Sequence, residues 1–191
     1  MGQSDTKIIE VQLQENLERT NFIFKNQTVN TECIKDFKQF SLMGDTFGPF
    51  ERGKKYRMKF FEAILFIKYK VLKMSSEEKC DNVDVQRYAI GERDDQKLIL
   101  RDNHLFLNKI KEFKLLLENE IQNNDKPKID LDRYNSYFGN IIDGRLLKLL
   151  RLAKSDLSLT DEKHLTDSEM LLYKKLFTLI QQWRHFYLKG E

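Results

Sequence analysis

Two carboxylate pairs are the first groups in this sequence whose spacing could do chemistry. Asp81 and Asp84 stand three residues apart and Asp94 and Asp95 are adjacent, patterns that could hold magnesium through oxygen ligands. Both fall in a charge-rich run from Ser75 to Gln96 with little periodicity, where solvated charge on an exposed loop is the simpler reading. Cys80 follows Lys79, whose charge could lower the thiol pKa, but no histidine neighbours it in sequence. Gly44-Asp45-Thr46-Phe47-Gly48 is a glycine loop without the spacing or the lysine of a phosphate cradle, and no Gly-x-Ser-x-Gly elbow occurs. Two cysteines and three scattered histidines (His104, His164, His185) are a poor basis for a tetrahedral zinc site. A non-enzyme without cofactor or resident metal is expected.

Positive charge offers a different chemistry. Between Arg52 and Lys79 lie nine basic residues (Arg52, Lys54, Lys55, Arg57, Lys59, Lys68, Lys70, Lys73, Lys79) against Glu62, Glu77 and Glu78, a local balance of +6. Tyr56 and Tyr69 interleave with them, as a groove that stacks single-stranded bases would require. A stand-alone nucleic-acid-binding module is therefore one functional class, with Arg52, Lys54, Lys55, Arg57 and Lys59 as its contacts. The competing explanation is a basic solvent face balanced by acidic loops, since no recognised reading motif accompanies the charge. Over the whole chain Lys+Arg 33 nearly cancels Asp+Glu 30, for a net charge of +3. That balance does not suit a chain that coats nucleic acid along its length.

Two short matches carry less. Met1-Gly2-Gln3-Ser4-Asp5-Thr6 fits the loose N-myristoylation pattern, yet one acyl chain without a polybasic neighbour anchors poorly. Asn26-Gln27-Thr28 is a glycosylation sequon, idle without export.

The elements that position these groups follow from composition and period. The 191 residues are 40% hydrophobic and include 14 Phe and 7 Tyr, enough for a real core in one domain or a domain with an appendage. Eight Gly and two Pro favour long regular elements. The longest apolar stretch, Phe60 to Leu72, is interrupted by Lys68 and Lys70 and is too short to span a bilayer. The first residues are acidic and polar, and two thiols suit a reducing compartment, so a soluble intracellular chain is expected.

Residues 1–53 read as a small β-rich domain: Ile8 to Leu13 is partly alternating, Asn21 to Lys25 offers a second strand, and Gly44, Gly48 and Pro49 break Phe40 to Phe50 into turns. Residues 54–191 read as an α-helical bundle, so the fold class is mainly α with a small N-terminal β domain. Phe60, Ile64, Ile67, Val71 and Met74 predict a first helix of about five turns. Asn103 caps a second, carrying Leu107, Ile110, Lys114 and Leu117 and stopping near Pro127. A third follows Asp130 with the face Leu131, Tyr134, Phe138, Ile142, Leu149 and Leu152, and frays near Ser155. Thr166-Asp167-Ser168-Glu169 is a capping box opening a fourth, which carries Tyr173, Phe177, Ile180 and Trp183 and stops near Gly190. Tyr137, Ile141, Phe186 and Tyr187 widen these faces beyond one seam, as at a subunit contact.

The order of parts resembles a known family. A β segment ends in Phe47-Gly48-Pro49-Phe50 with Gly53 behind it, and a helix with Ala63-Ile64-Leu65 follows. The helical part holds Asp132-Arg133-Tyr134 and the run Arg145-Leu146-Leu147-Lys148-Leu149-Leu150-Arg151-Leu152-Ala153. The closing stretch is Leu165-Thr166-Asp167-Ser168-Glu169, Leu171-Leu172-Tyr173 and Ile180-Gln181-Gln182-Trp183-Arg184. Over most of residues 40 to 188 this is similar to a GINS subunit of the β-then-helical type, a replicative helicase accessory factor. The resemblance implies a heterotetramer with a sister GINS subunit. It also implies a bridge among the MCM helicase, a RecJ-like companion factor and polymerase or primase, with DNA touched only indirectly or weakly and no membrane partner. It brings no catalytic residues.

On that reading Tyr134, Tyr137, Phe138, Ile141, Ile142, Tyr173, Phe177, Ile180 and Trp183 supply bundle core and subunit contact together. Phe47, Pro49 and Phe50 pin the β segment to the first helix. Arg145, Lys148 and Arg151 are interface-rim or structural ion-pair groups. An archaeal cytoplasm is the expected location, with a nucleus as the alternative.

Overall fold

A helix, α1 (Gln3–Lys25), occupies the segment in which Ile8 to Leu13 and Asn21 to Lys25 predict strands. Leu13, Leu17, Thr20 and Phe24 recur at 4-3-4 spacing, and that helical period outweighs the short β-rich runs. Phe24 is buried against Phe60, with ring centroids 5.0 Å apart, so tertiary packing fixes the helical choice. This computed structural model describes residues 3–42 and 44–188, with 3–11, Leu42 and Asp45 as backbone alone. Met1 and Gly2 of the acylation pattern, and Gly190 at the expected end of the last helix, lie outside the described residues.

After α1 come β1 (Thr28–Cys33), β2 (Phe40–Leu42), β3 (Asp45–Phe47), β4 (Lys55–Lys59), α2 (Phe60–Lys68) and β5 (Leu72–Met74). The rest is helical: α3 (Asn82–Asp94), α4 (Phe106–Gln122), α5 (Lys128–Leu152), α6 (Leu159–Glu162) and α7 (Asp167–Leu188). The protein is thus mainly α with a small β part in its N-terminal region. Its three-stranded sheet has the order β4-β1-β5, antiparallel throughout, with Thr31 opposite both Tyr56 and Met74. β2 and β3 form a separate hairpin. Strands β4 and β5 lie beyond residue 53, so the β structure crosses the expected boundary between residues 1–53 and 54–191.

The first helix of the bundle is shorter than its apolar spacing predicts. α2 stops at Lys68 because Lys70 takes a left-handed conformation (φ 54°) and turns the chain back. Val71 and Leu72 are then buried where β5 joins the sheet. Ser75 to Gln96 is no exposed loop: it contains α3, whose Val85, Ala89 and Glu92 face inward. Charge on the outer face of α3 masks that period.

In α4 the buried row is Phe106, Ile110, Phe113 and Leu117; Lys114 lies off it and pairs with Glu118 at 3.7 Å. Asn103 Oδ1 accepts from Leu105 N–H at 2.8 Å, in the turn that leads into this helix. In α5 the buried row is Tyr134, Ile141, Arg145 and Leu149, with Ile142 turned outward. An aromatic column, Phe24–Phe60–Phe113, ties α1, α2 and α4 together, with centroids 5.0 and 5.7 Å apart. A second core beneath the hairpin gathers Cys33, Phe50, Phe66, Val71 and Leu72. A third joins α5 to α7 through Leu149, Ala153, Leu165 and Tyr173. Among the described residues no helix is long and apolar enough to cross a membrane.

Candidate functional site

The carboxylate pairs are structural. Asp81 accepts from the N–H groups of Val83 (2.9 Å) and Asp84 (3.3 Å), and Asp84 Oδ2 accepts in return from Asp81 N–H at 3.2 Å. This reciprocal box opens α3, satisfying donors a helix start otherwise leaves bare. Asp94 pairs with Arg93 at 2.9 Å and Asp95 with Arg101. Among the described residues no three His, Cys, Asp or Glu side chains converge as ligands of one ion. The glycine loop around Gly44 is the turn of the β2–β3 hairpin. Cys80 is buried beside the Tyr134 hydroxyl, and burial pushes its thiol up to about 12, opposite to the effect Lys79 suggests. Tyr134 is likewise raised, by burial first and by Cys80 second, and its hydroxyl donates to Ile110 C=O at 2.9 Å.

Arg145 is the centre of the polar interior. Its five N–H donors meet five acceptors: Glu169 Oε1 (2.5 Å) and Oε2 (2.8 Å), Glu92 Oε2 (3.0 Å), Ile99 C=O (2.9 Å) and His164 C=O (3.2 Å). The guanidinium also lies 5.0 Å over the Phe106 ring. Burial opposes its charge, but Glu169 and Glu92 outweigh that and hold the proton more firmly than usual. Lys148 donates to Glu92 C=O at 2.6 Å and pairs with its carboxylate, whereas Arg151 is exposed. Arg145 and Lys148 are structural ion-pair partners that join α3, α5 and α7.

The basic stretch is divided between two surfaces. Lys55, Arg57 and Lys59 project from one face of β4, an outer strand of the sheet. Lys55 is paired with Glu77 at 3.4 Å, Lys73 with Glu32 at 3.2 Å and Lys54 with Glu51 at 2.7 Å. Arg52 and Arg57 make no ion pair among the described residues. Tyr56 is not a stacking platform: its ring packs edge-on against Phe50, and its hydroxyl donates to Pro49 C=O at 3.2 Å and accepts from Glu51 N–H at 2.8 Å.

The apolar candidates separate into two groups. Tyr134, Ile141 and Tyr173 are buried, and Tyr137, Phe138, Phe177 and Ile180 are half-buried. Ile142 and Trp183 are exposed, Trp183 to 65%, so neither serves the core of the lone chain. Ile142, Leu146 and Leu150 form a stripe at four-residue spacing on the outside of α5, with Leu147 beside it. Trp183, Phe186, Tyr187 and Leu188 form an aromatic tip on α7, with Trp183 and Tyr187 centroids 5.1 Å apart. Phe47 and Phe50 pack on Phe66 of α2 at 5.6 and 4.8 Å; Pro49 is exposed and contributes only its carbonyl, which accepts from the Tyr56 hydroxyl at 3.2 Å.

One surface escapes the reading of the sequence. Phe61 and Leu65 on the outer side of α2 and Tyr69 just past its end bound, with Phe37, Phe40 and Phe47, a groove of about 550 Å³. Their four-residue spacing is the signal that could have found it; it is hidden beside the buried row Phe60, Ala63 and Phe66. No protein-family model matches the chain, and no curated protein sequence does either.

Proposed function

We propose that this chain is a non-catalytic scaffold subunit of a GINS-type complex in DNA replication. It would assemble with a sister GINS subunit into a heterotetramer and join the MCM helicase to a RecJ-like companion factor and polymerase or primase. The observation that supports this is the unpartnered apolar surface of α5 and α7: Ile142, Leu146 and Leu150 on one helix, Trp183, Phe186 and Tyr187 on the other. Large apolar patches mark interaction sites, and permanent subunit contacts resemble a core cut in two. The family in this reading comes from the residue runs similar to GINS subunits, and the mainly helical architecture with a small β part is compatible with it. Archaeal cytoplasm is the proposed location.

Absolute mass by light scattering tests it, on the chain alone and after co-expression with a helical-then-β GINS-type partner. A stable complex near four chains is expected. Trp183→Ala and Leu146→Glu should each weaken it without unfolding the chain, as both side chains are exposed. A monomer that ignores the partner overturns the proposal.

A second reading rests on Lys55, Arg57 and Lys59 aligned along β4. It makes the chain a nucleic-acid-binding module, and predicts affinity of the isolated protein for single-stranded DNA that falls steeply with salt. Charged side chains also protect outer strands from unwanted pairing, which is why this reading ranks second.

A further inference from the structure

The groove between α2 and the β2–β3 hairpin has a floor, a ridge and a charged rim. Its floor is packed: Phe66 and Val71 are buried, and Phe40 stacks on Phe47 with centroids 5.6 Å apart. Phe61, Leu65 and Tyr69 stand along one side at the spacing of a helix-packing ridge. They remain open to solvent, Leu65 to 49% and Tyr69 to 75%. An apolar opening of about 550 Å³ is of ligand-binding size.

The rim decides the sign of the occupant. Lys35 lines the groove, Lys38 is exposed in the same loop, Lys68 ends α2, and Lys59 lies 5.7 Å over the Phe61 ring. None of these four lysines is ion-paired among the described residues, unlike Lys70, which holds Asp125 at 2.8 Å. The neighbouring acids are already engaged by main chain: Glu62 accepts from Lys59 N–H at 2.9 Å and Asp36 from Arg52 N–H at 2.6 Å. Four lysines against these two carboxylates, of which Glu62 itself lines the groove, leave the rim net positive around apolar side chains without cover.

We propose that this groove receives a short acidic amphipathic helix of a partner protein. Apolar anchors of the helix pack between Phe61, Leu65, Tyr69 and the hairpin phenylalanines, and its carboxylates meet the four lysines. This is the helix-in-groove mode of peptide recognition, with charge setting partner choice. The inference does not depend on the subunit reading, because α5 and the tip of α7 do not line the groove.

Phage-displayed random peptides of about sixteen residues, enough for about four helical turns, panned on the full chain, test it. Enriched peptides should be net acidic with Leu, Phe or Trp at three- and four-residue spacing. By fluorescence anisotropy Leu65→Glu and Tyr69→Ala should each weaken an enriched peptide by about tenfold or more. Lys35→Glu combined with Lys68→Glu should weaken it and flatten its salt dependence. Circular dichroism of each variant confirms that the fold is kept. Failure to enrich, enrichment of basic peptides, or binding indifferent to Leu65→Glu overturns the proposal. So does tighter binding of oligothymidylate at the same residues, or self-association that Leu65→Glu abolishes. Light-scattering assembly with the GINS-type partner is unaffected by either result, so the two proposals fail separately.

Discussion

Glu169 accepts from Arg145 with both carboxylate oxygens, at 2.5 Å from Nε and 2.8 Å from Nη2, while it also closes the first turn of its own helix. Thr166 N–H donates to Glu169 Oε2 at 2.8 Å, and Glu169 N–H donates to Thr166 Oγ1 at 3.2 Å. One carboxylate thus starts α7 and fastens it to the middle of α5. Replacing Arg145 by Met leaves Glu92 and Glu169 buried without their cation. Urea unfolding should show a loss of about 3–5 kcal/mol. Arg145→Lys should recover only part, since an ammonium cannot present five donors in a plane.

The two capping boxes should differ in cost. Asp81→Ala removes a cap on a half-exposed helix start and should cost about 1 kcal/mol. Thr166→Ala should cost more, because the Thr166 hydroxyl also donates to Glu169 at 2.9 Å and steadies the carboxylate that holds Arg145. Equal unfolding midpoints for the two variants would contradict that coupling.

Burial of Cys80 makes stability depend on alkaline pH. Its thiol is raised from 9.0 to about 12 in the folded chain. Below pH 9 both states keep the proton and the contribution is complete. Between pH 9 and 12 only the unfolded chain releases it, so stability falls as pH rises, by up to about 1.4 kcal/mol per unit. Denaturant titrations at pH 8, 9 and 10 should show this slope, and Cys80→Ala should flatten it. A thiol reagent at pH 8 should modify neither Cys80 nor Cys33 until the protein is unfolded, both being buried.

Phe66 is the pin of the hairpin. Its ring meets Phe40, Phe47 and Phe50 with centroids 5.8, 5.6 and 4.8 Å away. Phe66→Ala should destabilise by about 3–5 kcal/mol. Hydrogen exchange should quicken first at β2 and β3 and later in β1 from Thr28 to Thr31, since only the Cys33 end of that strand shares the Phe66 core.

Helices α4, α5 and α7 were legible because their buried rows repeat at helical spacing and their boundaries carry recognisable signals. Thr166 and Glu169 announce α7 three residues apart in the chain, and Pro127 separates α4 from α5. α3 was not legible, since its inward row includes the charged Glu92, acceptable only because Arg145 and Lys148 arrive from a helix about fifty residues later. α1 was obscured by the same kind of long-range partner: Asn21 is buried because Glu112 Oε1 accepts from its amide at 2.6 Å. The direction of Ile142 was misjudged by a single position, as Ile141 takes the core site. The groove on α2 depends on a hairpin brought against it from elsewhere in the chain, and spacing along one helix does not reveal what faces it.

Strand β1 lies between two neighbours that are both made after it, one ending at Lys59 and the other at Met74. A ribosome that has released residue 53 has therefore supplied the middle of the sheet and neither flank. α1 is in the same position, its Phe24 waiting for Phe60 and Phe113. A fragment cut at residue 53 would be a centre without sides, and the small sheet cannot be separated from the helices as a portable unit. The chain's earliest residues are held by partners made well after them.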